Sequence, residues 1–235
     1  MRGKVGVEAV KQKLIIHGSA DMKKVLMAIY DAMDEYFGDL AWWPGETSFE
    51  VALGAILTQN TNWKNVEQAI ERIRSEDLLE PEKLYKTEKE IVADLIRPAG
   101  YYNVKTERLF AFLEFLHGNY EGDMKKMRHA DTRELRDQLL AVKGIGEETA
   151  DSILLYALKK TIFVVDAYTR RILERHRVVD SKWSYREIQS LFMNNLHHDY
   201  GFYNRYHALL VETAKQFCRK RKKCEGCPLE MIGNA

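Results

Sequence analysis

Proline, cysteine and net charge are all scarce in this sequence. Its 235 residues include 4 Pro, 14 Gly and 3 Cys, and 36 Lys+Arg nearly balance 35 Asp+Glu, for a net charge of +1. With 46% hydrophobic residues, this composition excludes collagen-like, low-complexity and disordered proteins. Three cysteines, all after residue 217, are too few and too clustered for a disulfide framework. The near-neutral total gives no support for nucleic-acid binding through bulk charge.

Long hydrophobic runs are also missing. Charged residues interrupt every apolar stretch before it reaches the roughly 20 residues that a membrane span needs. The first ten residues, MRGKVGVEAV, lack the continuous apolar stretch of a signal peptide. We therefore expect a soluble cytoplasmic protein without a membrane partner.

Hydrophobic residues recur at helical intervals along most of the chain. Residues 25–37 place them three and four apart, ahead of Gly38, which can end a helix. Residues 47–50 (TSFE) and 184–187 (SYRE) have the pattern of a capping box at a helix start. Only residues 161–165 (TIFVV) favour an extended strand, and they are too short to support a sheet. The sequence predicts an all-α fold.

The turn at residues 142–146 (VKGIG) joins two stretches with apolar helical faces, which is typical of a helix-hairpin-helix. We expect Gly144 and Gly146 to allow a positive φ and a close approach of the backbone to a partner. Outward-facing amides at such a turn can bind a DNA phosphate without reading base sequence. From the turn alone, a plain helical hairpin with a tight glycine turn remains the alternative.

Asp166 lies twenty residues after Gly146, between the extended stretch and the next helical face. This position suits the N-cap of a helix, where a carboxylate accepts a hydrogen bond from the backbone. One carboxylate can both cap a helix and take part in catalysis, so the sequence leaves both roles open.

Together these motifs resemble those of helix-hairpin-helix DNA glycosylases related to endonuclease III. The resemblance covers about residues 40–227 and rests on KGIG at 143–146, Thr149, Ala150, Asp166, LTQN at 57–60 and IRPAGYYN at 96–103. Within that family, WWPG at 42–45 and TQNTNW at 58–63 look most like the 3-methyladenine DNA glycosylase branch.

The resemblance implies two domains. One is a six-helix barrel at residues 39–160, and the other is a helical domain built from residues 1–38 and 161–235, with damaged double-stranded DNA held between them by a monomer. It implies that Asp166 is the catalytic carboxylate and that Gln59 fills the gap left by a flipped base. The DNA-binding residues implied or interpreted are Gln59, Lys143, Gly144, Gly146, Thr149 and Arg171.

Glu148 departs from the family pattern. Bifunctional relatives, which also cut the abasic strand, carry a lysine just before the Thr-Ala pair, and its amine forms a Schiff base with the sugar. A carboxylate cannot form that bond, and Lys143 is interpreted as a phosphate contact. We therefore predict a monofunctional enzyme that uses water as its nucleophile. The alternatives are a bifunctional glycosylase/lyase for oxidised pyrimidines and a non-enzymatic helix-hairpin-helix DNA-binding protein.

Trp42, Trp43, Pro44 and Trp63 are predicted to form the base pocket. A purine alkylated at N3 or N7 is cationic and already a good leaving group, so recognition needs aromatic faces that attract a cation more than it needs a strong acid. Ordinary burial in the core is the other interpretation of these tryptophans. The predicted substrate is an alkylated purine such as 3-methyladenine.

Cys218, Cys224 and Cys227 resemble the C-terminal iron–sulfur segment of the family. That segment has four cysteines, and here the fourth would fall near Gly233, where no cysteine stands. His207 is about 16 Å before Cys218 if both lie on one helix, so it is unsuited as a substitute ligand. A [4Fe–4S] cluster with an unusual fourth ligand, a zinc site and a metal-free segment all remain open.

Basic residues gather in two places despite the neutral total. One group lies between the cysteines at 219–223 (RKRKK), and the other follows Asp166. A run of charges is usually just a solvated surface, but here it adjoins the segments expected to contact DNA.

Overall fold

The computed structural model describes residues 19–40 and 45–232, which are mostly helical and contain no β-strand. The all-α prediction is confirmed. In chain order the helices are α1 (Ser19–Phe37), α2 (Ser48–Leu57), α3 (Trp63–Ser75), α4 (Pro81–Lys86), α5 (Lys89–Leu95), α6 (Tyr102–Tyr120), α7 (Met124–His129), α8 (Thr132–Ala141), α9 (Glu147–Ser152), α10 (Ala167–Arg175), α11 (Tyr185–Asn195) and α12 (Tyr200–Gln216). A 3₁₀ turn (Arg97–Ala99) precedes α6, and a π-helical segment (Ile153–Ala157) continues α9. Among the described helices, none is long and apolar enough to cross a membrane.

The chain divides into two compact units. Residues Ala41–Val164 form one of them, and its centre is α2. Nine of the ten α2 residues are buried, because the sequence SFEVALGAIL is apolar on every face. Helix α2 packs against the π-helical segment, α3 and α6. The interpretation of residues 39–160 as a six-helix barrel stays a prediction.

The other unit combines the chain up to Leu40 with the chain from Val165 onward. Helix α12 packs against α10 and α1, so the first described helix joins the last three in one core. The buried hydroxyl of Tyr206 donates to the Leu26 carbonyl at 2.6 Å, and Arg205 forms an ion pair with Asp34. These contacts tie the two ends of the chain together.

The predicted helix caps form, with one difference in detail. At α11 the capping box is complete, because the Ser184 side chain accepts from the Glu187 amide and the Glu187 carboxylate accepts from the Ser184 amide. At α2 only the hydroxyl half forms, with Thr47 accepting from the Glu50 amide at 3.1 Å. One oxygen of the Glu50 carboxylate accepts from the Glu46 amide at 3.0 Å, and the other forms an ion pair with Arg74 at 2.6 Å.

Candidate functional site

The hairpin turn lies between α8 and α9, and its two glycines adopt different conformations. Gly144 has φ 87°, and a Cβ added there would collide with the side chain of Arg108. Gly146 has φ −93° and ψ 179°, so it does not use the positive φ that glycine allows. Gly146 is the N-cap of α9, and N-cap residues are normally extended. No atom lies within 4 Å of a Cβ added to Gly146, so the surface beside it is open.

Gln59 is held in place by two hydrogen bonds to the hairpin and a third from Arg108. Its amide nitrogen donates to the Thr149 hydroxyl at 2.9 Å and to the Gly144 carbonyl at 3.3 Å. Its amide oxygen accepts from the guanidinium of Arg108 on α6. The structure therefore brings together three of the predicted DNA-binding residues. No sequence motif marked Arg108, whose partner lies 49 positions away.

Lys143 and Glu148 flank the turn with exposed side chains. Glu148 holds the position where bifunctional relatives would carry an amine, in the first turn of α9. The hairpin thus presents one basic side chain and two exposed glycines, Gly144 and Gly146, on its surface.

A buried lysine, Lys105, joins the end of α2 to the 3₁₀ turn that precedes α6. The Lys105 ammonium donates to the Leu57 carbonyl at 2.8 Å and to the Ala99 carbonyl at 2.7 Å. Burial, together with the positive charge of Arg108, lowers the pKa of Lys105 to about 8. Leu57 precedes Gln59, and Ala99 precedes Tyr101, an aromatic residue that is 72% exposed and has φ 47°. No sequence motif indicated a role for Lys105 or Tyr101.

Of the four predicted pocket residues, Trp42, Trp43 and Pro44 lie outside the described residues. Trp63 starts α3 and is half-buried. Its ring lies over Gly54 of α2, where an added Cβ would be 3.2 Å from Trp63 Cη2. The absence of a side chain at Gly54 lets the indole lie flush against α2. The role of Trp63 in base recognition stays a prediction.

Asp166 caps α10, as predicted. Its Oδ1 accepts a hydrogen bond from the Thr169 amide at 2.7 Å, and its Oδ2 lies 3.6 Å from Nε2 of His207 on α12. Burial by itself would raise the pKa of this carboxyl, but His207 and the Thr169 hydrogen bonds outweigh it and lower the pKa. The structure thus places a buried, ionised carboxylate at the start of α10. From the sequence, His207 is considered only as a metal ligand, and no motif indicates that it lies beside Asp166.

Arg171 lies one turn into α10 and is half-buried. Its guanidinium carbon is 5.1 Å from the centre of the Tyr168 ring, within the range of a cation–π contact. Its Nε is buried and makes no hydrogen bond to any described residue. The neighbouring Arg170 instead donates to the Trp183 carbonyl at 2.6 Å.

The three cysteines line a cavity of about 90 Å³, and none of them forms a disulfide. Cys218 is buried, Cys227 half-buried and Cys224 exposed. Burial raises the pKa of the Cys227 thiol. No group of three His, Cys, Asp or Glu side chains among the described residues is arranged to hold a metal ion. The donor set, one thiol short of four and without a metal-binding arrangement, does not fit a [4Fe–4S] cluster.

Protein contacts close the cysteine segment instead. The guanidinium of Arg175 donates to Cys218 Sγ at 3.2 Å, to the Arg219 carbonyl at 2.7 Å and to the Lys220 carbonyl at 3.1 Å. A β-bridge joins Cys218 to Lys222. The basic side chains at 219–223 are exposed on this closed loop.

Sequence comparison relates the chain to DNA repair proteins. The HhH-GPD superfamily of base excision DNA repair proteins matches residues 53–198. A protein of Methanocaldococcus jannaschii, provisionally named a DNA repair glycosylase, is 48% identical over 209 residues, which is 88% of this chain and 94% of that protein. Endonuclease III of Sulfolobus acidocaldarius is 28% identical over 76% of this chain and 78% of that enzyme.

Solved structures give the same relationship. The crystal structure of H. pylori 3-methyladenine DNA glycosylase (MagIII) bound to 1,N6-ethenoadenine has a TM-score of 0.71 and 29% identity, over 83% of this chain and 97% of that chain. A non-covalent endonuclease III–DNA complex has a TM-score of 0.77 over 90% of this chain and 95% of that chain, and at 20% identity it shows the shared fold alone. The resemblance of the sequence motifs to endonuclease III is therefore confirmed. The chain belongs to the HhH-GPD superfamily and is a DNA repair glycosylase of that type.

Proposed function

We propose that this glycosylase is monofunctional and hydrolyses the N-glycosidic bond of alkylated purines, such as 3-methyladenine, in double-stranded DNA. The observation that carries the proposal is the buried Asp166 carboxylate, whose pKa is lowered. Such a group is suited to stabilising a cationic sugar and poorly suited to donating a proton. When no general acid protonates the leaving base, the reaction works best on bases that leave readily. Alkylated purines carry a positive charge before the bond breaks. Similarity to MagIII, a 3-methyladenine DNA glycosylase, supports this substrate class.

In the proposed reaction the cationic purine departs with the electron pair of the glycosidic bond. The sugar that remains has oxocarbenium character, and Asp166 stabilises its positive charge. Water then attacks the anomeric carbon and loses a proton to solvent. Because its pKa is low, Asp166 acts mainly through its charge and by orienting the water, with little action as a base.

The positions and contacts of the lysines do not support a lyase step. The family position for the Schiff-base amine is occupied by Glu148. Lys105 has the depressed pKa expected of a nucleophilic amine, but its side chain is buried and its ammonium is bonded to two carbonyls. Its contacts make it a structural residue. We propose that water is the only nucleophile.

DNA binding is assigned to the hairpin surface and the basic residues. Lys143, Gly144 and Gly146 would meet the phosphate backbone, with Arg171 binding a further phosphate. Gln59 would leave its bonds to Gly144 and Thr149 and fill the space of the flipped base. Trp42, Trp43, Pro44 and Trp63 would hold the lesion by stacking, worth about 1–3 kcal/mol per base.

The cysteine segment is assigned a role in binding phosphate through its basic loop, without a metal. Arg175 holds this loop closed in the absence of a fourth thiol. Iron and zinc analysis of anaerobically purified protein tests this point. Stoichiometric iron with absorbance near 400 nm, or stoichiometric zinc, would contradict it.

The test of the function is base release from a panel of duplexes, each with one defined lesion. The expected result is release of 3-methyladenine or 7-methylguanine by the wild type and a large loss with Asp166→Asn, which keeps the helix cap. Borohydride trapping is run in parallel with a bifunctional endonuclease III as the positive control. A covalent adduct, or release of oxidised pyrimidines alone, would favour the bifunctional alternative. Binding to DNA without any base release would favour the non-enzymatic one.

A further inference from the structure

We infer that His207 is a positioning residue for Asp166, holding the carboxylate oxygen that the helix cap leaves free. The inference rests on the proposed catalytic role of Asp166. It concerns a residue on α12 that no motif of the hairpin or of the α10 start includes.

The two oxygens of Asp166 have different neighbours. Oδ1 is committed to the start of α10, where it accepts from the Thr169 amide at 2.7 Å. Oδ2 lies 3.6 Å from Nε2 of His207. With a proton on Nε2, the imidazole points a donor at the one oxygen that remains available to a substrate or a water. The cap and the imidazole together set the plane of the carboxylate.

Burial limits the movement of the Asp166 and His207 side chains. The side chain of Asp166 is 12% exposed and that of His207 is 5% exposed. His207 lies on the buried face of α12 beside Tyr206, whose hydroxyl is anchored to the Leu26 carbonyl. Because α12 packs against both α1 and α10, the imidazole has little freedom to turn away from the carboxylate.

Four charged side chains on the packed helices α1 and α10 have partners of their own. On α10, Arg170 binds the Trp183 carbonyl and Arg175 binds the cysteine segment. Arg171 lies over Tyr168. On α1, Asp34 pairs with Arg205 of α12. Together with the hydrogen bonds from Thr169, His207 offsets the cost of burying the Asp166 charge.

The experiment compares His207→Ala, His207→Gln and wild type in two independent measurements. The first is the single-turnover rate of 3-methyladenine release against pH, with saturating enzyme so that DNA affinity does not enter. The second is a carbon-13 NMR titration of the Asp166 carboxyl, assigned by comparison with Asp166→Asn. Exposed His129 at the end of α7 provides the matched control, His129→Gln.

Because the 3.6 Å contact with His207 helps to keep the Asp166 carboxylate charged, we expect His207→Ala to slow base release about 10- to 100-fold. We expect the acid limb of its pH profile and the pKa of Asp166 to move upward together. Glutamine supplies a neutral donor near the position of Nε2, so His207→Gln should recover part of the rate. His129→Gln should match the wild type in both measurements.

The inference is overturned if His207→Ala releases base at the wild-type rate, or if Asp166 titrates identically in both proteins. It is also overturned if His207→Gln recovers no more rate than alanine. Should His207→Ala fail to fold, His207→Leu takes its place, and an unchanged Asp166 titration in that variant overturns the inference. Failure of the proposed function looks different: Asp166→Asn would then be as active as wild type, while the NMR titration would still report the His207 contact.

Discussion

Arg136 on α8 donates two hydrogen bonds to the carboxylate of Asp151 on α9, at 2.7 and 3.0 Å, and the Asp151 side chain is fully buried. The two residues lie on opposite sides of the hairpin turn. Their bidentate contact fixes the spacing of the two helices and, with it, the conformation of the turn that carries Gly144 and Gly146.

Removing one partner of this pair should destabilise the protein strongly. Arg136→Met leaves the Asp151 carboxylate buried without its ion-pair partner, and we expect a loss of about 3–5 kcal/mol in the free energy of unfolding. Urea denaturation measures this loss. The control is Lys126→Ala, which removes an exposed pair with Glu121 and should cost about 1 kcal/mol or less. Equal effects of the two changes would contradict the assigned role of Arg136.

The two hairpin glycines should respond differently to alanine. At Gly144, φ is 87° and an added Cβ meets Arg108, so Gly144→Ala should lower the free energy of unfolding by about 1–3 kcal/mol. At Gly146 the backbone is extended and the added Cβ meets nothing, so stability should change by about 0.5 kcal/mol or less.

Gly146→Ala, the variant expected to keep its stability, should lose affinity for DNA. A methyl group at Gly146 projects into the open space where a phosphate is proposed to bind, and we expect Gly146→Ala to weaken duplex binding. Fluorescence anisotropy at fixed salt measures this effect. If Gly146→Ala binds duplex DNA as tightly as wild type, the proposed phosphate contact at this surface is wrong.

Lys105 should make stability depend on alkaline pH. Its pKa is about 8 in the folded protein and 10.5 in its ordinary state, so the folded state binds this proton less tightly than the unfolded chain does. The cost of burying the charged Lys105 is therefore fully present below pH 8 and is relieved as pH rises toward 10.5, so stability increases over this range. Between pH 7 and 9.5 we expect wild type to gain about 2 kcal/mol relative to Lys105→Met. Parallel pH curves for the two proteins would contradict the lowered pKa.

The cysteine segment should depend on Arg175 more than on its thiols. Changing Cys218, Cys224 and Cys227 together to serine should leave base release within about threefold of wild type, a shift of less than 1 kcal/mol. Arg175→Gln should loosen the loop, increase its proteolysis and weaken DNA binding, with a smaller salt slope because fewer phosphates are neutralised. Loss of base release in the triple serine variant would instead indicate a functional metal.

Local sequence patterns predict the features that depend on residues close together in the chain. The cap at Ser184, the cap at Asp166 and the all-α class follow from spacings of three or four residues, and each is confirmed. The contacts of Gln59 with Arg108 and of Asp166 with His207 join distant parts of the chain, so no local pattern contains them. Glycine allows either sign of φ, so the local sequence does not decide the conformation of Gly146, and its position as the helix cap selects the extended one.

The helix cap at Asp166 also has an evolutionary consequence. Asparagine caps a helix about as well as aspartate, and their codons differ by a single nucleotide. With the catalytic role proposed for Asp166, one point mutation would lead from this enzyme to a folded protein that still binds damaged DNA but does not release the base. Replacements that lack a capping side chain would also weaken α10, so asparagine is a route from a repair enzyme to a damage sensor that keeps the start of this helix intact.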